Sequence, residues 1–117
     1  MMEHGFVYIF EMVGTPYYKI GRSINYRCRL KQLQEGFPFE LKVIFVFKTT
    51  HHVTLESWLH HKMSSKRYKY EWFTLDKKDL AEIRRVMKYG VSQFVPYELQ
   101  KNSYEIKPER KTTINKF

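Results

Sequence analysis

Apolar residues fall in short runs with two different periods. Phe6-Val7-Tyr8-Ile9-Phe10 is an aromatic and β-branched run that predicts a strand. Gly14-Thr15-Pro16 marks a turn, and Tyr17-Tyr18-Lys19-Ile20-Gly21 predicts a second strand, so residues 6–21 read as a β-hairpin. From Tyr26 to Glu35 the period becomes helical. Tyr26, Leu30 and Leu33 share one face, Asn25 is placed to cap the start, and Gly36 stands where a C-cap glycine belongs. Leu41 to Phe47 is dense in Val, Ile and Phe and predicts a buried strand. Thr49 or Thr50 can cap a second helix, whose Val53, Leu55, Leu59 and Met63 form a partial apolar stripe with Trp58 beside it. Ser64 to Lys69 reads as a polar, basic break, and Tyr70 to Leu75 as a short strand. Asp76 caps a third helix, with Asp79 in a capping-box position. Leu80, Ile83, Val86 and Met87 form its buried face, and Gly90 ends it. The order ββαβαβα predicts an α+β fold, a small antiparallel sheet flanked by helices.

After Gly90 the pattern fades into a polar, Lys-rich stretch punctuated by Pro96 and Pro108. The expected organisation is one domain over 1–90 and a basic C-terminal arm or linker over 91–117. Composition sharpens this picture in two ways. First, 43% hydrophobic and 17% aromatic residues are enough for a packed core and argue against disorder. Second, 21 Lys and Arg stand against 12 Asp and Glu, a net charge of +9 that points to a polyanionic partner, most simply nucleic acid. Cys28 is the single cysteine, which excludes an internal disulfide and a zinc site built on cysteines. No apolar run approaches the roughly 20 residues of a membrane span, and the first residues lack the features of a signal peptide. These observations lead to the expectation of a cytoplasmic protein that does not engage membranes.

Four groups of residues carry candidate chemistry. Side chains alternate along a strand, so Tyr8 faces away from Val7 and Ile9, and Lys19 away from Ile20. In a suitable register Tyr8 and Lys19 share a face, where a phenol can relay a proton and an ammonium can hold it as phenolate or contact phosphate. The same pair is also what a strand tyrosine and a solvated lysine look like. Arg22, Arg27, Arg29 and Lys31 form the second group. Guanidinium grips phosphate oxygens bidentately, although such runs are more often solvated helix faces. The third is Glu56, set in an apolar helical stretch, where a carboxylate must reach solvent, find a partner or bind a cation. Magnesium is often held by one or two carboxylates with water and substrate phosphates, so a single glutamate can suffice. The alternative is an ordinary i, i+4 contact with His60. A zinc site from Glu56 and His60 lacks a third ligand, and His51 and His52 read as solvated residues at a helix start. The fourth group is the segment Lys62 to Tyr70, in which Lys62, Lys66, Arg67 and Lys69 are interleaved with Tyr68 and Tyr70. Such segments contact phosphates and stack on exposed bases, or simply form a soluble loop.

The segments Phe6-Val7-Tyr8, Lys19-Ile20-Gly21-Arg22-Ser23, Arg29-Leu30-Lys31-Gln32-Leu33, Leu55-Glu56-Ser57-Trp58-Leu59-His60 and Glu71-Trp72-Phe73 occur in an informative order. Together they resemble the GIY-YIG nuclease superfamily, and more narrowly its phage- and fungus-associated branch, in which the second signature reads Lys-Ile-Gly. The resemblance implies metal-dependent hydrolysis of a DNA phosphodiester. It implies that Tyr8 is the general base or relay for the attacking water and that Gly21 is the second-signature glycine. Arg29, or Arg27 in a neighbouring register, would stabilise charge on the phosphate. Glu56 would bind one Mg2+ or Mn2+ acting as Lewis acid. Lys19 stands where the superfamily has its second tyrosine and joins the expected catalytic set, while Tyr18 falls one place early on the opposite face. Leu33 stands where many members carry histidine, and Glu71-Trp72-Phe73 reads as mainly structural. Arg22, Arg27, Lys31, Lys66, Arg67 and Lys69 are the expected DNA contacts. The implied partners are DNA and a separate DNA-recognition or host protein, in a phage or mobile-element setting. The rival reading is a non-catalytic nucleic-acid-binding module on a nuclease scaffold. Keeping Tyr8, Arg29 and Glu56 together argues against it, because a carboxylate facing phosphate weakens binding without a metal.

Overall fold

Two strands whose central residues are buried on both faces set the architecture. β1 (Gly5–Met12) and β2 (Tyr17–Ser23) form the predicted hairpin, with Tyr8 opposite Gly21 and Phe10 opposite Lys19. β3 (Leu41–Thr49) pairs antiparallel with the other side of β1, with a bulge between Ile9 and Phe10. The short strands β4 (Arg67–Lys69) and β5 (Trp72–Thr74) extend the sheet beyond β2, and β6 (Tyr104–Ile106) lies along β3. The result is a six-stranded antiparallel sheet of order β4-β5-β2-β1-β3-β6. The computed structural model describes residues 4–94, 100 and 103–107, the side chain of Phe94 apart.

Helices cover the two faces unequally. α2 (His52–Lys62) and α3 (Lys77–Phe94) close over one face, where Val7, Ile9, Ile20, Phe45 and Phe73 pack against Leu55, Leu59, Ile83 and Met87. α1 (Tyr26–Gln34) lies on the other face, where Tyr8, Phe10, Tyr26 and Val46 form a smaller core with Leu30 and Leu33. The α+β architecture is therefore the one expected from the pattern.

Two helix starts follow their sequence signals. The Asn25 side chain accepts from the Cys28 N–H at 3.1 Å. Asp76 and Asp79 cap each other's backbone N–H groups at 2.9 and 3.0 Å, a reciprocal capping box. α2 departs from expectation, because neither threonine caps it. His51 occupies the N-cap without a side-chain cap bond, and the Thr49 hydroxyl accepts from the His51 N–H at 3.1 Å. Nor is His52 solvated: it is half-buried, and its ring lies so close to Gly5 that a Cβ there would come within 2.3 Å. His51 is likewise half-buried, with its ring nitrogen 3.0 Å from the Thr50 hydroxyl.

Two further corrections concern the second half of the chain. Gly90 does not end α3, which runs on to Phe94. A Cβ at Gly90 would meet Trp58 Cζ3 at 2.6 Å, so this glycine serves the close approach of α3 to α2. The basic stretch 64–69 is not a plain break. Ser64–Lys66 forms a 3-10 turn and Arg67–Lys69 forms β4, joined to β5 through Tyr70 at φ 56°. Within the expected arm, residues 91–94 continue α3 and Tyr104–Ile106 pair with Val46–Lys48 of β3. Most of the remainder of 91–117, with Pro96 and Pro108, lies outside the described residues. No helix among the described residues is long and apolar enough to cross a membrane.

Candidate active site

β5 is too short to cover β2 along its length. It pairs with β2 only over Tyr17–Lys19, leaving the edge from Ile20 onwards without a strand partner among the described residues. Instead, the Ile20 N–H donates to the Glu71 carbonyl at 3.1 Å, and the Ile20 carbonyl takes a hydrogen bond from His60 Nε2 at 2.7 Å. Side chains from both faces of the sheet meet at this gap.

Tyr8 reaches it from the α1 face. Its ring is almost fully buried, stacked on Phe10 with centroids 4.0 Å apart, and lies across Gly21. A Cβ on Gly21 would come within 2.5 Å of the Tyr8 oxygen, so only glycine leaves room for the phenol there. Burial pushes the Tyr8 hydroxyl above its ordinary pKa. The Arg29 guanidinium beside it pulls the other way, while the Glu71 and Glu56 carboxylates add to the rise. Tyr8 is therefore a neutral phenol at neutral pH, in contact with a fixed positive charge and within the field of two carboxylates.

Glu56 comes from α2, where it is buried, with Oε1 3.3 Å from Arg22 Nε and Oε2 3.5 Å from His60 Nε2. The i, i+4 contact with His60 is thus present, and His60 Nε2 is committed to the Ile20 carbonyl. Among the described residues, no group of three or more His, Cys, Asp or Glu could hold a metal ion by itself.

Lys19 shares the face of Tyr8 and is buried; its ammonium lies 2.9 Å from Glu71 and 5.6 Å from the centre of the Trp72 ring. Burial raises the Glu71 pKa, but Lys19 outweighs it with help from His60 and Arg29, and the carboxyl ends below its ordinary value. Glu71 is the residue that reading the chain missed. Phe73 is pure core, but Glu71 belongs to the charge network around Tyr8. The sequence placed it inside a strand over Tyr70 to Leu75, whereas it lies in the turn before β5, and its link to Lys19 and Arg29 depends on the closed sheet.

The structure gathers Tyr8, Lys19, Arg22, Arg29, Glu56, His60 and Glu71 and leaves the other expected cations apart. Arg27 and Lys31 stand exposed on α1, with Arg27 over the Tyr26 ring at 5.4 Å. Lys66 bonds both Asp79 oxygens at 3.1 Å. Arg67 donates to the Tyr70 carbonyl and lies 5.0 Å from the Phe73 ring centre, on the α2 and α3 side. Lys69 sits 5.5 Å from the centre of the Tyr70 ring.

A six-stranded antiparallel sheet flanked by three helices is consistent with a small GIY-YIG-like fold. The T5orf172 domain family matches residues 5–88, most of the chain and every residue of the site, and the chain belongs to that family. The T5orf172 domain occurs in phage and bacterial nuclease-like proteins and is related to the GIY-YIG type. Comparison with curated proteins and with solved structures gives no match.

Proposed function

We propose that this chain is a metal-dependent endonuclease that hydrolyses DNA phosphodiester bonds. The observation that carries the reading is the Tyr8 phenol, buried against Arg29 and within the field of Glu56. In this reading the Tyr8 phenol first gives its proton to solvent, and Arg29 stabilises the phenolate so formed. The phenolate then takes the proton of the attacking water and returns to phenol, while Arg29 also balances charge on the phosphate. Arg22 shares its Nε–H with Glu56 at 3.3 Å and keeps half its side chain in solvent, ready to meet a phosphate. Lys19 neutralises Glu71, which leaves Glu56, shared with Arg22 and His60, as the carboxylate for the substrate side. Glu56 is a hard oxygen donor and would hold a single Mg2+ or Mn2+ shared with substrate phosphate and water. Bound there, the ion would supply Lewis-acid activation and leaving-group stabilisation. DNA is the partner, and Arg27 and Lys31 extend the basic surface along α1.

The test is nicking of supercoiled plasmid with magnesium, manganese or EDTA, using the parent chain beside Tyr8→Phe and Glu56→Ala. Metal-dependent nicking should fall by roughly 10²- to 10⁴-fold in each variant, with DNA binding kept in Glu56→Ala. Unchanged nicking in Glu56→Ala would remove this residue from the mechanism. One observation favours the non-catalytic reading: Glu56 already has Arg22 and His60 as partners, as a structural carboxylate would. Salt-sensitive DNA binding with no cleavage under any metal would support it.

A further inference from the structure

α1 covers only part of its face of the sheet. The uncovered half, over β2, β5 and β4, carries aromatic rings that belong to neither core cluster. Tyr17 of β2 meets Tyr68 of β4 at 4.7 Å between ring centres. Trp72 of β5 is parallel to Phe37, 5.8 Å away and within 6°, and Phe37 meets Phe39 edge-on at 6.1 Å. Tyr68 is 61% and Phe39 51% exposed, so these large apolar side chains are not there for burial. They are nevertheless held in place. The Gln34 side chain ties down the loop that carries the two phenylalanines, donating to the Phe39 carbonyl at 2.9 Å and accepting from the Leu41 N–H at 2.8 Å. Tyr68 follows Arg67 along β4 and so points to the opposite face, where its ring meets Tyr17. The group runs directly into the site, because the Lys19 ammonium lies over Trp72 and bonds Glu71.

We propose that this surface is a stacking platform for unpaired DNA bases, which brings a single-stranded or locally opened strand to the Tyr8 site. Exposed rings interleaved with cations on a chain of net charge +9 match the two demands of a single strand. The bases need flat apolar partners, and the backbone needs positive charge, supplied by Lys69 on β4 and by Arg27 and Lys31 on α1. A paired duplex keeps its base faces stacked inside and offers such rings nothing. The proposal names the substrate class of the site described above, and it rests on the nuclease reading only for the choice of DNA.

The test measures binding in EDTA, so that it stands apart from cleavage. Fluorescence anisotropy would compare labelled oligothymidylate with a blunt duplex of the same length, using the full chain and the variants Tyr68→Ser and Phe39→Ser. Both residues are exposed, and thermal melting would verify that each variant folds. The expected result is preference for the single strand in the parent and about ten-fold weaker single-strand binding for each ring removed, with duplex binding unchanged. In a Trp58→Phe background, quenching of Trp72 fluorescence by the oligonucleotide provides an independent readout. Folded variants that bind the single strand as the parent does would overturn the platform, as would a parent that binds duplex equally well. Stronger binding to oligouridylate would overturn the assignment to DNA. A chain that grips single strands but never nicks keeps the platform and loses the nuclease reading. A chain that nicks duplex regardless of these variants does the reverse.

Discussion

Replacing Gly21 by alanine tests the central geometry with one methyl group. The added Cβ would lie 2.5 Å from the Tyr8 oxygen, 2.6 Å from Cζ and 2.7 Å from Cε1. Ordinary van der Waals contact begins at 3.4 Å, so the ring must retreat by about 1 Å. It has little room to do so, being 1% exposed and stacked on Phe10. Overpacking of this kind costs about 1–3 kcal/mol. For a domain of this size each kcal/mol lowers Tm by roughly 4 °C, so Gly21→Ala should melt roughly 4–12 °C lower. The same retreat displaces the hydroxyl from Arg29. A misplacement near 1 Å can cost about 10²-fold in rate, so plasmid nicking should fall far more than the fraction of folded protein does. Circular dichroism melts and nicking rates at a temperature where the variant is fully folded separate the two effects. A variant with parental Tm and parental nicking would refute both the packing of Tyr8 over Gly21 and its catalytic role.

Other consequences can be checked as directly. Gly90→Ala should lower Tm even though alanine favours helix by roughly 0.5–1 kcal/mol, because its Cβ would lie 2.6 Å from Trp58 and 2.8 Å from Leu55; a raised Tm would show that the α2–α3 contact yields freely. Glu71→Gln leaves the buried Lys19 ammonium without its counter-charge, so it should destabilise the fold, and Lys19→Met in the same chain should recover much of the loss; additive melts would deny the coupling. The Glu71 pKa lies below its ordinary value, so its contribution to stability is present above about pH 4.5 and fades as pH falls through the lower folded value. The acid limb of a stability-against-pH curve should therefore flatten in Glu71→Gln. The Tyr8 pKa lies above its ordinary value, so that contribution is intact below about pH 10 and lost as pH rises beyond it. Nicking that needs the phenolate should accordingly climb with pH through 9, and a plateau near neutrality would point to a different base.

Much of this architecture was legible before any coordinates. Strand alternation placed Tyr8 and Lys19 on one face, and the Asn25 and Asp76 caps followed from local hydrogen-bond chemistry. Glu56 announced itself as a carboxylate in an apolar stretch. What escaped notice depends on contacts distant in the chain. Gly90 carries the local mark of a helix end, but the approach of Trp58 decides its role. β4 and β6 have three residues each, too few to show a period, and both exist because a longer strand system stands beside them. Glu71 gains its place from Lys19, fifty-two positions earlier, across a sheet that must first close.

The modest strand β6 also bears on how the protein behaves in company. Without it, β3 would end the sheet with nine residues, among them the run Val43-Ile44-Phe45-Val46-Phe47. A long apolar rim with unpaired amides is a template on which another chain can add itself and begin to aggregate. Tyr104–Ile106 fill the bonding positions along Val46–Lys48, and the Arg84–Glu105 ion pair at 2.7 Å fastens this short guard to α3. A fragment trimmed to the first ninety residues would keep every member of the candidate site and bare the Val46–Lys48 part of this rim as well.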